Sequence, residues 1–329
     1  MIVVIGGSGF VGTRLCRRFA QTGRDFVILD KNPSTAFPDR CVNVDVRDLE
    51  TLRSAIPKGG IIINLAAEHR DDVRPLSLYE DVNVGGAVNI CQVSAEKNVK
   101  KIVFTSTVAC YGFAPPRTGE EGAIKPFNEY GKTKARAEEV YRSWYEGKDE
   151  GQKTLTIIRP TVIFGEGNRG NVYNLLRQIA SGRFVMVGDG RNVKSMAYVE
   201  NVVAFIEYAL EFESGAYVYN YVDKPDFNMN DLVALARLKL NRSGGVGPRL
   251  PYVIGLAIGG LSDALARLVG KKFPISTIRV KKFCATTQFS SSVEASGFLP
   301  PTTLAAGFEK TISYEFLENN ETEEVFFTE

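Results

Sequence analysis

Short β-branched runs alternate with longer amphipathic stretches along the first half of the chain. "IVVIG" at residues 2–6, "DFVILD" at 25–30, "GIIINLAA" at 60–67, "KKIVFTST" at 100–107 and "TLTIIRP" at 154–160 read as strands. Between them apolar residues recur at helical spacing. Strands that are apolar on both faces and separated by helices predict a parallel sheet covered on each side, an α/β fold of the doubly wound kind.

After Gly165 the pattern loosens. It passes through "GEGNRGN", a helical "VYNLLRQIASG", a strand-like "RFVMVGDG" and a further α/β segment from Met196 to about Val222. From Pro225 onward it is helical and irregular, broken at "SGGVGPRLP" and "FLPP". Residues 1–165 plus 196–224 are expected to form one domain, and 166–195 plus 225–329 a smaller, mainly C-terminal substrate lobe. The acidic tail "ENNETEEVFFTE" is expected to fray. The longest apolar stretch, "YVIGLAIGGL" from Tyr252 to Leu261, falls short of the roughly 20 residues a spanning helix needs.

Composition narrows the function. Forty basic and 38 acidic residues give a net charge of +2, spread without a basic stripe, which argues against nucleic acid as a partner. The five cysteines form no CxxC pair and lie mostly in apolar contexts, as expected of reduced thiols in a cytoplasmic protein.

Chemistry enters directly after the first strand. In "GGSGFVG" the glycines Gly6, Gly9 and Gly12 precede the helix "TRLCRRFAQTG". Glycine allows a tight turn whose backbone N–H groups approach a pyrophosphate at a helix N-terminus. Asp30, ending the second strand, can accept both hydroxyls of an adenosine ribose and would repel a 2′-phosphate, which favours NAD over NADP. A Rossmann-type dinucleotide domain is therefore expected.

In "NEYGKTKA" the side chains of Tyr130 and Lys134 rise from one helix face a turn apart, while Lys132 points elsewhere. A nearby ammonium lowers the pKa of a phenol, so such a pair can trade a proton with a substrate hydroxyl. Thr107 or Ser106, just past a strand, can supply the hydroxyl that orients the same oxygen.

With these residues assembled, the chain resembles the extended short-chain dehydrogenase/reductase family, and within it the NAD-dependent nucleotide-sugar epimerases and dehydratases. The resemblance rests on "GGSGFVG", Asp30, "DVRD" at 45–48, "NLAA" at 64–67, "VNVGG" around Asn83, "TSTVACYG" at 105–112, "YGKTK" and "IIRPTVIFG". It implies that Ser8, Phe10 and Val11 border the cofactor with the glycines, and that Asp45 and Val46 lie by the adenine. It further implies that Leu65, Ala66 and Ala67 border the pyrophosphate and nicotinamide ribose, that Asn83 braces that side, and that Pro160 and Val162 run beside the nicotinamide. Thr107 takes the place of the catalytic serine or threonine beside Tyr130 and Lys134, with Ser106 as a supporting hydroxyl. His69, the single histidine, is either a loop residue or a cofactor contact; one histidine makes a metal site unexpected.

For a sugar nucleotide, a UDP-sugar being favoured, the match implies contacts from Asn171, from Val187 in the strand 185–187, and from Lys194 where the family usually has arginine. Val162 stands where close relatives of UDP-galactose 4-epimerase have asparagine. The dehydratases follow their threonine with Asp and Glu; Val108 and Ala109 leave no means of eliminating water.

The expected activity is NAD-dependent epimerisation at C4 of a UDP-sugar. Alternatives are a 4-keto-6-deoxy nucleotide-sugar reductase, a 3β-hydroxysteroid-type dehydrogenase, for which the apolar stretch after Arg249 could line a lipid pocket, and a non-catalytic dinucleotide sensor. The helix of Tyr130 and the helix over about Pro75 to Lys97 are expected to pair across a homodimer.

Overall fold

The computed structural model describes residues 1–70, 73–147, 150–242, 245–269, 276–320 and 324–328. Seven parallel strands form the central sheet: β1 (Ile2–Ile5), β2 (Phe26–Asp30), β3 (Cys41–Asn43), β4 (Ile61–Asn64), β5 (Lys101–Thr105), β6 (Thr154–Pro160) and, later in the chain, β10 (Gly215–Tyr221). Their order is β10-β6-β5-β4-β1-β2-β3.

Alternation sends successive side chains to opposite faces. Ile2, Val4, Ile28, Ile63, Val103 and Ile158 enter one core, whereas Val3, Ile5, Leu29, Ile62, Ile102 and Ile157 enter the other. Helix α1 (Phe10–Thr22) covers the first core, and α2 (Leu49–Ala55), α4 (Gly86–Glu96) and α5 (Glu129–Tyr145) cover the second. The helix expected over about 75–97 is an unbroken helical run in which α3 (Ser77–Tyr79) leads through a π-helical turn, Glu80–Gly85, into α4. Strand β3 was not foreseen; it is three residues long and largely exposed, so it has no apolar run to announce it.

The remaining elements are β7 (Val162–Phe164), α6 (Asn171–Ala180), β8 (Met186–Val187), β9 (Val193–Tyr198), α7 (Val199–Ala209), β11 (Asp223–Asn228), α8 (Met229–Lys239), β12 (Arg249–Leu250), α9 (Tyr252–Val269), α10 (Thr277–Cys284) and α11 (Leu304–Phe316). Strands β11-β9-β7 form a small mixed sheet and β12-β8 a two-stranded one. One core runs without interruption from Ile2 and Leu15 to Met186, Leu232 and Phe308.

The tail expected to fray behaves otherwise over residues 324–328; residues 321–323 and 329 lie outside the described set. The Phe326 N–H donates to the Gly167 carbonyl at 2.8 Å, its carbonyl accepts from the Arg169 N–H at 2.8 Å, and its ring packs on Phe10. Two backbone bonds and an aromatic contact outweigh the tail's acidity.

Candidate active site

Register brings the chemistry to one edge of the sheet. Ile5 pairs with Asn64, Asn64 with Phe104, and Thr105 with Ile158, so the loops after β1, β4, β5 and β6 leave side by side at the carboxyl ends of the strands. That crevice is where open α/β sheets bind ligands.

The glycine turn fits a dinucleotide. A Cβ on Gly12 would lie 2.5 Å from the Gly6 carbonyl oxygen, so the start of α1 closes onto the turn only without one. Gly9 caps α1 and leaves the first N–H groups, with those of Phe10 and Val11, at the helix N-terminus. Asp30 accepts from the N–H groups of Ser8 at 3.0 Å and Asn32 at 2.9 Å, which fixes its carboxylate at the turn. Asp45 is gripped by the Arg47 guanidinium, which holds its carboxyl below the usual range, and Val46 packs under Gly86.

Behind β4, Asn64 accepts from the Ala66 N–H at 3.0 Å and donates to the Tyr141 hydroxyl at 2.7 Å, setting the path of Leu65 and Ala67. Asn83, in the π-helical turn, accepts from the Glu68 N–H and donates to the Glu68 carbonyl and Thr133 Oγ1. It thereby ties this loop to α5. His69 is exposed, beside the backbone of Thr328.

Helix α5 starts at Asn128, whose side chain accepts from the Gly131 N–H at 2.9 Å. A Cβ on Gly131 would lie 2.6 Å from the Ala109 carbonyl, so glycine here lets the helix press on the turn after β5. That contact brings Tyr130 to Thr107. The Thr107 oxygen accepts from the Ala109 N–H at 3.1 Å, and its hydroxyl lies near enough to Tyr130 to favour the phenolate.

Lys134 lies one turn further and is buried, its Nζ 4.2 Å from the centre of the Phe104 ring. Burial drives its pKa down to about 7, opposed by Glu138. Burial likewise pushes Tyr130 up to about 12, opposed by the Thr107 hydrogen bond. Among the groups that face Tyr130, the hydroxyl of Thr107 favours the phenolate.

Ser106 does not face the same way as Thr107. It is buried and donates to Glu138 Oε1 at 2.5 Å. Glu138 also receives Arg159 through Nε at 2.9 Å and Nη2 at 2.5 Å, and Arg159 Nη1 donates to the Tyr111 hydroxyl at 2.7 Å. Sequence reasoning missed Glu138 and Arg159. Each leaves a trace, Glu138 continuing the 130, 134 spacing and Arg159 being the single charge in its strand, but nothing in the sequence pairs the two. Pro160 is buried; Val162 is 40% exposed.

The expected sugar-side residues gather only in part. Val187 lines a cleft of about 900 Å³ together with Asp189, Arg249, Tyr252, Lys281 and Cys284. Lys194 Nζ donates to the carbonyls of Lys282 at 2.9 Å and Ala285 at 2.6 Å beside that cleft, and burial lowers its pKa to about 8. Asn171 opens α6 and is not part of the lining, nor are Thr107, Tyr130 and Lys134. Arg249 and Lys281 were not singled out from the sequence.

Fold and site together define a Rossmann-type, NAD-dependent enzyme of the extended short-chain dehydrogenase/reductase kind. The chain belongs to the NAD-dependent epimerase/dehydratase family, whose model matches residues 2–221. It is 50% identical, over 100% of its own length and 99% of the relative's, to the N-acetyl-alpha-D-glucosaminyl-diphospho-ditrans,octacis-undecaprenol 4-epimerase of Escherichia coli O157:H7. It is 26% identical to the UDP-glucose 4-epimerase of Vibrio cholerae, over 97% of this chain and 96% of that one. Among solved structures, MoeE5 in complex with UDP-glucuronic acid and NAD superposes with a TM-score of 0.74 at 20% identity, covering 95% of this chain and 98% of that one.

Proposed function

We propose that this protein is an NAD-dependent 4-epimerase of an N-acetylhexosamine carried on a diphosphate, and that the diphosphate's other end is a polyprenol instead of a nucleoside. The 50% identity across the full length of the E. coli relative carries this reading, against 26% to a UDP-glucose 4-epimerase. Val162, in place of an asparagine, and the cations Arg249 and Lys281 beside an apolar helix support it.

Bound NAD supplies the hydride acceptor at C4 and the donor that returns it. Thr107 holds the 4-oxygen. Tyr130 exchanges the proton of that hydroxyl through its phenol, and Lys134, withdrawn from water beneath it, takes the nicotinamide ribose side. Arg249 and Lys281 neutralise the diphosphate. Residues 1–165 plus 196–224 carry the cofactor and the rest shapes the substrate site. The pairing of α4 and α5 with their counterparts in a second copy makes a homodimer, which sedimentation at micromolar concentration checks.

The test offers detergent-solubilised polyprenyl diphosphate N-acetylglucosamine and a panel of UDP-sugars, with no reduced cofactor added. Appearance of the C4 epimer of the lipid-linked sugar supports the reading; turnover confined to UDP-sugars overturns the carrier assignment. Return of every substrate unchanged overturns the epimerase itself, as does product formed only in a parallel assay supplied with NADH, which is consumed mole for mole.

A further inference from the structure

Helix α9 inverts the usual order of a surface helix. Its buried positions include Gly255 and Gly259, where a Cβ would lie 2.6 Å from Val187 Cγ1 and 2.8 Å from the Thr277 nitrogen. Glycine lets the backbone of α9 lie directly on β8 and α10, and so the large side chains are left for the outside. Val253 is 75% exposed and Leu261 68%, with Ile254, Leu265 and Val269 exposed as well. Among the positions of α9 whose exposure is described, none that is exposed carries a charge; Asp263 is partly buried and accepts the Thr277 N–H at 3.0 Å. A face of this kind marks an interaction site.

Its neighbour names the partner. Helix α10 exposes Ile278 with Arg279, Lys281 and Lys282, and its sequence holds no acid. An apolar ridge bordered by cations matches the interface of an anionic bilayer, where apolar side chains enter the acyl boundary and cations meet the headgroups. A second copy docked through this ridge would set the same cations against each other. No described helix is long and apolar enough to cross a membrane, so the fit is to lying on the surface. Tyr252 and Lys281 also line the 900 Å³ cleft, which places its mouth at the ridge.

We propose that the α9–α10 face docks the protein on an anionic membrane surface, with the sugar cleft opening beside the lipid headgroups. The position of the cleft rests on the lipid-linked reading above; the docking itself is measured without substrate. The full chain is sedimented with vesicles of phosphatidylethanolamine and phosphatidylglycerol, and separately with phosphatidylcholine vesicles. The expected result is binding to the anionic vesicles, weakened by salt and by Lys282→Glu. The double substitution Leu261→Glu, Leu265→Glu should lower the partition at least about tenfold while leaving thermal unfolding unchanged. Absence of binding by the unmodified chain, or undiminished binding by the double variant, overturns the proposal. So does an oligomer that the double variant splits while neither protein binds vesicles. Epimerisation of the lipid-linked sugar in detergent without vesicle binding would sink the docking alone, whereas vesicle binding with turnover of UDP-sugars only would sink the carrier assignment alone.

Discussion

Helices α5 and α9 depart from the ordinary arrangement in opposite directions. The inward face of α5 holds Lys134 and Glu138, two charged side chains that a helix normally shows to water. The outward face of α9 shows Val253, Leu261 and Leu265, which a helix normally hides. In α5 the cost of burial is offset by partners: a phenyl ring beneath the amine, and a guanidinium and hydroxyl on the carboxylate. In α9 nothing described covers the exposed side. One helix has its buried charges braced from inside, and the other leaves its apolar side chains without a described neighbour.

The severest test of α5 is Tyr130→Phe. The ring keeps its packing and loses only the hydroxyl beside Thr107, so melting temperature should hardly move while epimerase turnover falls by about a thousandfold. A variant retaining turnover would remove the reason for burying the stripe at all.

Next in size is Glu138→Ala. It leaves Arg159 buried without its carboxylate and frees the Ser106 hydroxyl, which should cost about 3–5 kcal/mol in denaturant unfolding. A loss under about 1 kcal/mol would show that the pair is not the brace it is drawn to be.

Lys134 gives the comparison a pH dependence. Its pKa in the folded chain, about 7, lies below the ordinary 10.5, so between those values the unfolded chain binds more protons. Stability from this group therefore rises with pH across that window and is lost as pH falls through it. Lys134→Met lacks the rise. The melting temperature of the unmodified chain should gain on that of the variant from about pH 7 to 10; a constant gap would mean that the amine is not desolvated.

Much of this was legible beforehand where contacts are local or patterned. The glycine turn, Asp30 and the four-residue step from Tyr130 to Lys134 are fixed by spacing along one strand or helix. The Glu138–Arg159 pair was not, because it joins a helix to a strand and only the parallel register puts one beneath the other. The burial of Lys134 was not legible either: spacing gives its neighbour on the helix, while the depth of the side chain is set by the packing of α5 on the sheet. The apolar stretch of α9 was visible too, but hydropathy alone could not say which side faces out. That was set by the close approach at Gly255 and Gly259.

The two glycine environments of α9 supply the finest test. A methyl at Gly255 would meet Val187 at 2.6 Å, whereas at Gly260 it would meet nothing within 4 Å. Gly255→Ala should therefore push α9 from β8 and cost about 1–3 kcal/mol, with a change in the cleft that Val187 lines. Gly260→Ala adds helix propensity at an exposed position and should stabilise by about 0.5–1 kcal/mol. Opposite signs from one chemical change, five residues apart, require that the glycine side of α9 faces inward and leaves the apolar ridge outside. Exchanged signs would place the helix the other way round, and equal effects would mean that Gly255 is not packed against β8.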